Sequence, residues 1–141
     1  MKIFVIPSWY PSNTKPNNGS FFREQAQTLL ELANDVVLLN GTFRSREAYF
    51  SSENFKLIKY FDEGLLTYQF VIPNFMLSRN AWMGISMAKW SINKVFHSAV
   101  EDHGYPDIIH AHSFYPAGYV ACLLGKKTKY LLLLLNIVVE F

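Results

Sequence analysis

Two places in the chain combine residue types that could do chemistry. The first is Asn18-Gly19-Ser20, directly before the amphipathic stretch "FFREQAQTLLELA". A glycine there lets a ligand approach the backbone. The free N–H groups and dipole of a helix start favour a phosphate or carboxylate. The pattern is neither G-x-G-x-x-G nor a P-loop, and an ordinary helix start with a glycine turn explains it equally well. The second place is His110-Ala111-His112 in the apolar run "DIIHAHS". Residues two apart on a strand share a face. A metal site would need a third ligand, and His97 and His103 belong to the end of a preceding helix, so no metal is expected. His110 reads as a core histidine bonded to a backbone carbonyl. His112, nearer the strand end, could reach a ligand hydroxyl. Trp9 and Tyr10 are aromatics in a loop, which could stack on a sugar, dock a partner or simply pack. No Ser-His-Asp or Cys-His arrangement stands out, so no catalytic residue is assigned.

Both places depend on the elements around them. "KIFVIP" reads as a buried strand, and the breaker-rich Ser8–Gly19 as a long loop. Phe22, Ala26, Leu29, Leu30 and Ala33 form one helical face, with Ser20 as N-cap, Phe22 in the core and Arg23 in solvent. "DVVLLNG" is a second strand, which completes a right-handed βαβ unit with parallel strands. Thr42–Asn54 is polar and reads as loop. Two strands flank Asp62-Glu63-Gly64 as a hairpin. A helix runs from about Arg79 to Asp102 on a stripe of Ile85, Ala88, Ile92, Val95, Phe96 and Ala99. After the strand Asp107–Ser113, "YPAGYVACLLG" reads as a helix with Pro116 near its first turn and Gly125 at its end. Alternating strands and helices predict an α/β domain, a Rossmann-like mostly parallel sheet with helices on both faces. Ligands of such sheets bind beyond the carboxyl ends of the strands, where the Ser8–Gly19 and His112–Tyr115 loops lie.

Composition bounds the rest. The 141 residues suggest one domain, and 50% hydrophobic content argues against disorder. A net charge of +2 without a basic run gives no case for nucleic acid. Cys122 has no intrachain partner, and a reducing cytoplasm fits it best. Trp82, Met83, Met87 and Trp90 lie at helical spacing and read as core or domain contact. With Arg79, Lys89 and Lys94, Trp82 and Trp90 could also touch an anionic membrane peripherally.

Residues 2–39, "KIFVIPSWYPSNTKPNNGSFFREQAQTLLELANDVVLL", resemble the opening of glycosyltransferase family 4 enzymes, particularly bacterial ones that build surface polysaccharide. "YPDIIHAHSFYPAGYVACLLGKKTK" is similar to a later strand–helix unit of the same family. The resemblance implies the N-terminal, acceptor-binding half of a GT-B fold, from enzymes that retain anomeric configuration and need neither cofactor nor metal. It implies a sugar or lipid-linked acceptor and a nucleotide-sugar donor held by a second domain. The setting would be cytoplasmic, at or near the inner face of a membrane. Gly19, between Asn18 and Ser20, matches a glycine near the donor phosphates, where many relatives carry two. His112 and Ser113 match the loop on the acceptor side. The family's donor domain, with its paired glutamates, has no counterpart here, nor does the Thr-x-His motif that ends its next strand. A standalone α/β module that binds a sugar or phosphate ligand, or a separate donor subunit, is the other reading.

The tail "YLLLLLNIVVEF" stands where that motif belongs. It is too short for a membrane-spanning helix. Codons permitted for it, with one base restored, read Y-P-F-I-V-T-E-H-S-S-G-I. A one-base deletion would thus turn the family's strand into this leucine run. A true C-terminal strand is the alternative. Either version suits a strand buried on both faces.

Overall fold

A computed structural model describes residues 1–12, 16–41, 43–44, 52, 54–73, 81–128 and 131–135. Its strands are β1 (Lys2–Pro7), β2 (Asp35–Asn40), β3 (Phe43–Arg44), β4 (Leu57–Asp62), β5 (Leu65–Phe70), β6 (Ile72–Pro73), β7 (Ile108–His112) and β8 (Leu131–Leu135). Its α-helices are α1 (Ser20–Glu31), α2 (Ala81–His103) and α3 (Tyr119–Thr128). A turn over Phe114–Gly118, with Tyr115 extended (φ −133°, ψ 138°) and Gly118 N–H bonded to Ser113 O, leads from β7 into α3, so Pro116 precedes that helix instead of lying in its first turn.

The main sheet has six strands in the order β4-β5-β2-β1-β7-β8. All neighbours are parallel except β4 and β5. The expected α/β architecture is therefore present, with an antiparallel hairpin at one edge. Glu63 (φ 50°) and Gly64 (φ 86°) make its two-residue turn, both left-handed, as a tight hairpin requires. A separate two-stranded parallel ladder joins β3 to β6. The rest of the expected 42–54 loop lies mostly outside the described residues, as does Arg79.

The apolar runs of β1 and β2 alternate between two cores. Phe4, Ile6, Val37 and Leu39 face α2 and α3, which supply Ile92, Val95, Phe96, Ala99, Val120, Ala121 and Leu124. Ile3, Val5, Val36 and Leu38 face the α1 side, with Ala26 and Tyr10. Helices thus cover both faces, which is why the central strands read as nearly continuous hydrophobic runs. The α2 stripe buries as its periodicity predicts, with Ile85 half-buried. Trp90 packs edge-on to Phe70 at 5.1 Å between ring centroids. Trp82 stands outward instead, 81% exposed.

Four local expectations are corrected. The N-cap of α1 is Gly19, and Ser20 is its first helical residue. The helix stops at Glu31, leaving Ala33 exposed in a left-handed conformation (φ 61°), because its carboxyl end is closed by Ala33 N–H bonding to Leu30 O. Arg23 is not free in solvent: its guanidinium lies 3.6 Å from Asp62 and 3.4 Å from Glu63, tying α1 to the hairpin turn. Gly125 does not end α3, which runs on to Thr128. The leucines of the tail do form a strand, with β8 pairing in register from Ile108↔Leu131 to His112↔Leu135. Residues 136–141 lie outside the described set.

Candidate functional site

The two sequence-predicted loops meet because β1 and β7 are neighbours, with Pro7 opposite His112. Ser8 and Ser113 are each the first residue past a strand end, so their side chains come together. Their hydroxyl oxygens lie 2.5 Å apart. Ser8 Oγ donates to the carbonyl of His112 at 2.9 Å and accepts from the N–H of Ala117 at 3.3 Å. Ser113 holds φ 69°, ψ 158°, an unusual conformation for a residue with a Cβ. Gly118 N–H bonds to Ser113 O at 3.1 Å and secures it. Ser8 was not among the residues singled out from sequence. The signal available was positional, a small hydroxyl residue directly after an apolar run, mirrored by Ser113.

Gly19 is required on two counts. Its φ is 76°, and a Cβ placed on it would sit 2.6 Å from Trp9 O and 2.8 Å from Trp9 Cδ1. The close backbone approach that the glycine permits is taken by Trp9 of the same loop. Asn18 is exposed and Ser20 half-buried. Among the described residues no side chain caps the helix, and its first turn holds no acidic residue. The positive end of α1 is therefore not neutralised from within its own first turn.

His110 and His112 do share a face, with ring centroids 4.5 Å apart. His112 is fully buried under Phe22, at 4.7 Å between ring centroids. Phe22 in turn packs against Phe21 and Trp9. Neither ring nitrogen of His112 has a hydrogen-bond partner among the described residues, nor has Nε2 of His110. The backbone carbonyl expected for His110 is thus not found at Nε2. Burial lowers both pKa values, and that of His112 falls to about 3, helped by the neighbouring His110. Both rings are neutral, and His112 has no surface open to a ligand in this arrangement. His110 lines a cavity of about 280 Å³ with Gln25, Thr28 and Leu29.

Tyr10 is turned inward. Its ring is buried against the α1-side core, and its hydroxyl donates to Asp62 Oδ2 at 2.6 Å. Burial, then that carboxylate, pushes its pKa up. Tyr10 thus anchors the Ser8–Gly19 loop to the hairpin, while Trp9 remains at the edge, 37% exposed. Among the described residues no three His, Cys, Asp or Glu side chains group as metal ligands. Nor is any described helix long and apolar enough to cross a membrane.

No family model matches the chain. It is similar to the "Putative teichuronic acid biosynthesis glycosyltransferase TuaC" of Bacillus subtilis (strain 168), 29% identical over 135 residues. The match covers 92% of this chain and 34% of that protein. The chain thus spans about a third of the length of the curated relative it matches.

Proposed function

We propose that this chain is the acceptor-side half of a retaining glycosyltransferase of family 4, the N-terminal half of a GT-B enzyme. The full enzyme would move a sugar from a nucleotide-sugar donor to a polysaccharide or lipid-linked acceptor in cell-surface polysaccharide synthesis. The observation that carries this reading is the 29% identity to TuaC over almost the whole chain, confined to 34% of that protein. The α/β sheet, with two loops meeting at its carboxyl edge, is a scaffold that suits it.

In this reading the uncapped start of α1, at Asn18, Gly19 and Ser20, faces the donor diphosphate across the cleft. N–H groups and the helix dipole would offset its charge without a metal. Ser113 and the backbone over His112 line the acceptor side. His112 supports that loop from beneath Phe22, and Ser8 fixes it. The donor sugar would be held by the second domain, and the reacting histidine belongs to the motif whose place the tail takes. The whole enzyme works in the cytoplasm, at the inner face of the membrane.

The test is to read the gene from codon 129 onward in independently prepared DNA and to express the product. A restored frame running through Thr-Glu-His into a donor domain should give a protein that transfers from a nucleotide sugar. The 141-residue chain alone should not. Turnover by that chain with any nucleotide sugar, or no glycosyl transfer by the restored product, would sink the proposal.

A further inference from the structure

We propose that the outward face of α2 is a docking surface for an anionic lipid bilayer. This deepens the membrane location proposed above, on which it rests, by naming the surface that makes the contact. Successive residues of a helix turn by about 100°, so Lys89, Trp82, Trp90, Met83 and Lys94 fall in that order within an arc of about 140°. All five are exposed, Trp82 most of all. The opposite arc carries Ala88, Ser91, Ile92, Val95, Phe96 and Ala99, all buried. Phe55 joins the outward face, half-exposed, with its ring centroid 6.3 Å from that of Trp90. Two indoles, a phenyl ring and a thioether thus share one exposed surface.

The pattern selects the occupant. The apolar stripe is flanked by a lysine on each side, Lys89 at one border and Lys94 at the other. A helix lying in a membrane interface has this layout, with rings at the acyl boundary and lysine stems reaching back to anionic headgroups. Tryptophan suits that level, because its ring is apolar and its N–H finds a polar partner. A protein partner would ask for hydrogen bonds across the contact, and between the two tryptophans this ridge offers only Ser86. A fluid apolar surface asks for none. The first acid on α2 is Glu101, about 16 Å along the axis from Trp90. Asp102 is engaged by Lys59 and Tyr68. Glu53 lies two residues before Phe55 in sequence, yet Lys56, Arg79, Lys89 and Lys94 outnumber it and Glu101 together.

The surface also lies at the edge that matters. α2 returns from the carboxyl end of the sheet to its amino end, where the carbonyl of its last residue, His103, accepts from Lys2 Nζ at the start of β1. Trp82, in the first turn, therefore stands toward the carboxyl edge, where Ser8 and Ser113 meet. A bilayer docked there lies at the same edge as the acceptor-side loop, which favours a lipid-linked acceptor over a free polysaccharide.

The test is co-sedimentation of the 141-residue chain with vesicles of phosphatidylglycerol mixed with phosphatidylcholine, or of phosphatidylcholine alone. The mixed vesicles should bind it about tenfold more tightly or better. Lys89→Gln combined with Lys94→Gln should weaken that binding about tenfold to thirtyfold. Trp82→Ala should weaken it about fivefold to tenfold. Leu32→Ala, which removes a side chain 69% exposed at the end of α1, should bind as the parent does. Far-UV circular dichroism checks that each variant folds, and if Trp82→Ala does not, the lysine pair decides alone. No binding to mixed vesicles, equal binding to neutral ones, or binding unchanged in the α2 variants would each overturn the proposal. So would a dimer, seen by light scattering, that Trp82→Ala dissolves, since it would assign the face to a second copy of the chain. These measurements read lipid binding and not transfer, so the proposal can fail while the restored enzyme still transfers sugar.

Discussion

A Cβ on Gly19 would stand 2.6 Å from the carbonyl oxygen of Trp9, so the loop after β1 closes against its own glycine. The contact is backbone, which cannot swing aside as a side chain can. The φ of 76° adds a second penalty, since a left-handed residue with a Cβ costs about 1–2 kcal/mol. Gly19→Ala should therefore lower stability by about 2 kcal/mol or more. It should show as a lower urea midpoint at unchanged slope. A loss below about 0.5 kcal/mol would mean that the loop does not lie on Gly19 as described.

Tyr10 and Asp62 tie that loop to the hairpin at the far edge of the sheet through a 2.6 Å bond. The tyrosine ring is buried, so replacing it with phenylalanine keeps the packing and removes one charge-assisted hydrogen bond. Tyr10→Phe should cost about 1–3 kcal/mol, because Asp62 keeps Arg23 but loses its shorter partner. A double-mutant cycle with Asp62→Ala should return a coupling energy of about 1–2 kcal/mol. A coupling near zero would place the tyrosine hydroxyl in water.

Much of this fold was legible because burial on both faces writes itself into sequence. "KIFVIP" and "DVVLLN" have no polar alternation, and only a strand covered twice can be so apolar. The α2 stripe and the Glu63-Gly64 turn were legible for equally local reasons. The site was less so. That Tyr10 would turn inward and Arg23 would pair with the hairpin depends on contacts between residues about 40–50 apart, which no local pattern encodes. The bond between Ser8 and Ser113 is likewise created by strand order, β1 beside β7, and neither residue announces it alone. Helix ends are hidden from the sequence because a glycine start and an alanine stop imitate neither a serine cap nor a glycine terminator.

The end of β2 meets α2 at Gly41, where an added Cβ would lie 2.8 Å from Ile92 N and 2.9 Å from Ile92 Cα. Here the backbone conformation is ordinary and only space is short. Gly41→Ala must push a helix of 23 residues off the sheet by a few tenths of an ångström. The expected cost is about 1–3 kcal/mol. The nearest side-chain atom is Ile92 Cγ1, also at 2.8 Å, so Ile92→Ala, which removes it, should couple favourably with Gly41→Ala only if the side chain, not the helix backbone, is the obstacle. The backbone contacts predict little coupling, so a favourable coupling energy above about 1 kcal/mol in the double-mutant cycle would contradict them. Thermal unfolding of the four proteins decides it.

Burial of His112 predicts the direction of the acid response. The folded pKa of about 3 lies below the ordinary value of 6.5, so between these limits the unfolded chain binds a proton that the folded chain refuses. Stability from this ring is fully present above pH 6.5 and drains away as the pH falls toward 3. One such group gives a slope of at most about 1.4 kcal/mol per pH unit. His110 acts in the same direction, also through burial. Asp102, held down by Lys59 and then Tyr68, adds its loss only below its ordinary value of 3.8, outside the range that matters here. Between about pH 6 and 4.5, His112→Leu should therefore lose stability less steeply than the parent, by about 1 kcal/mol per unit. The measurement is a series of urea unfolding curves across that range. Parallel slopes would mean that water or a proton reaches the ring in the folded chain. That outcome would favour the reading in which His112 reaches a ligand hydroxyl, where the buried geometry makes it a neutral support beneath Phe22.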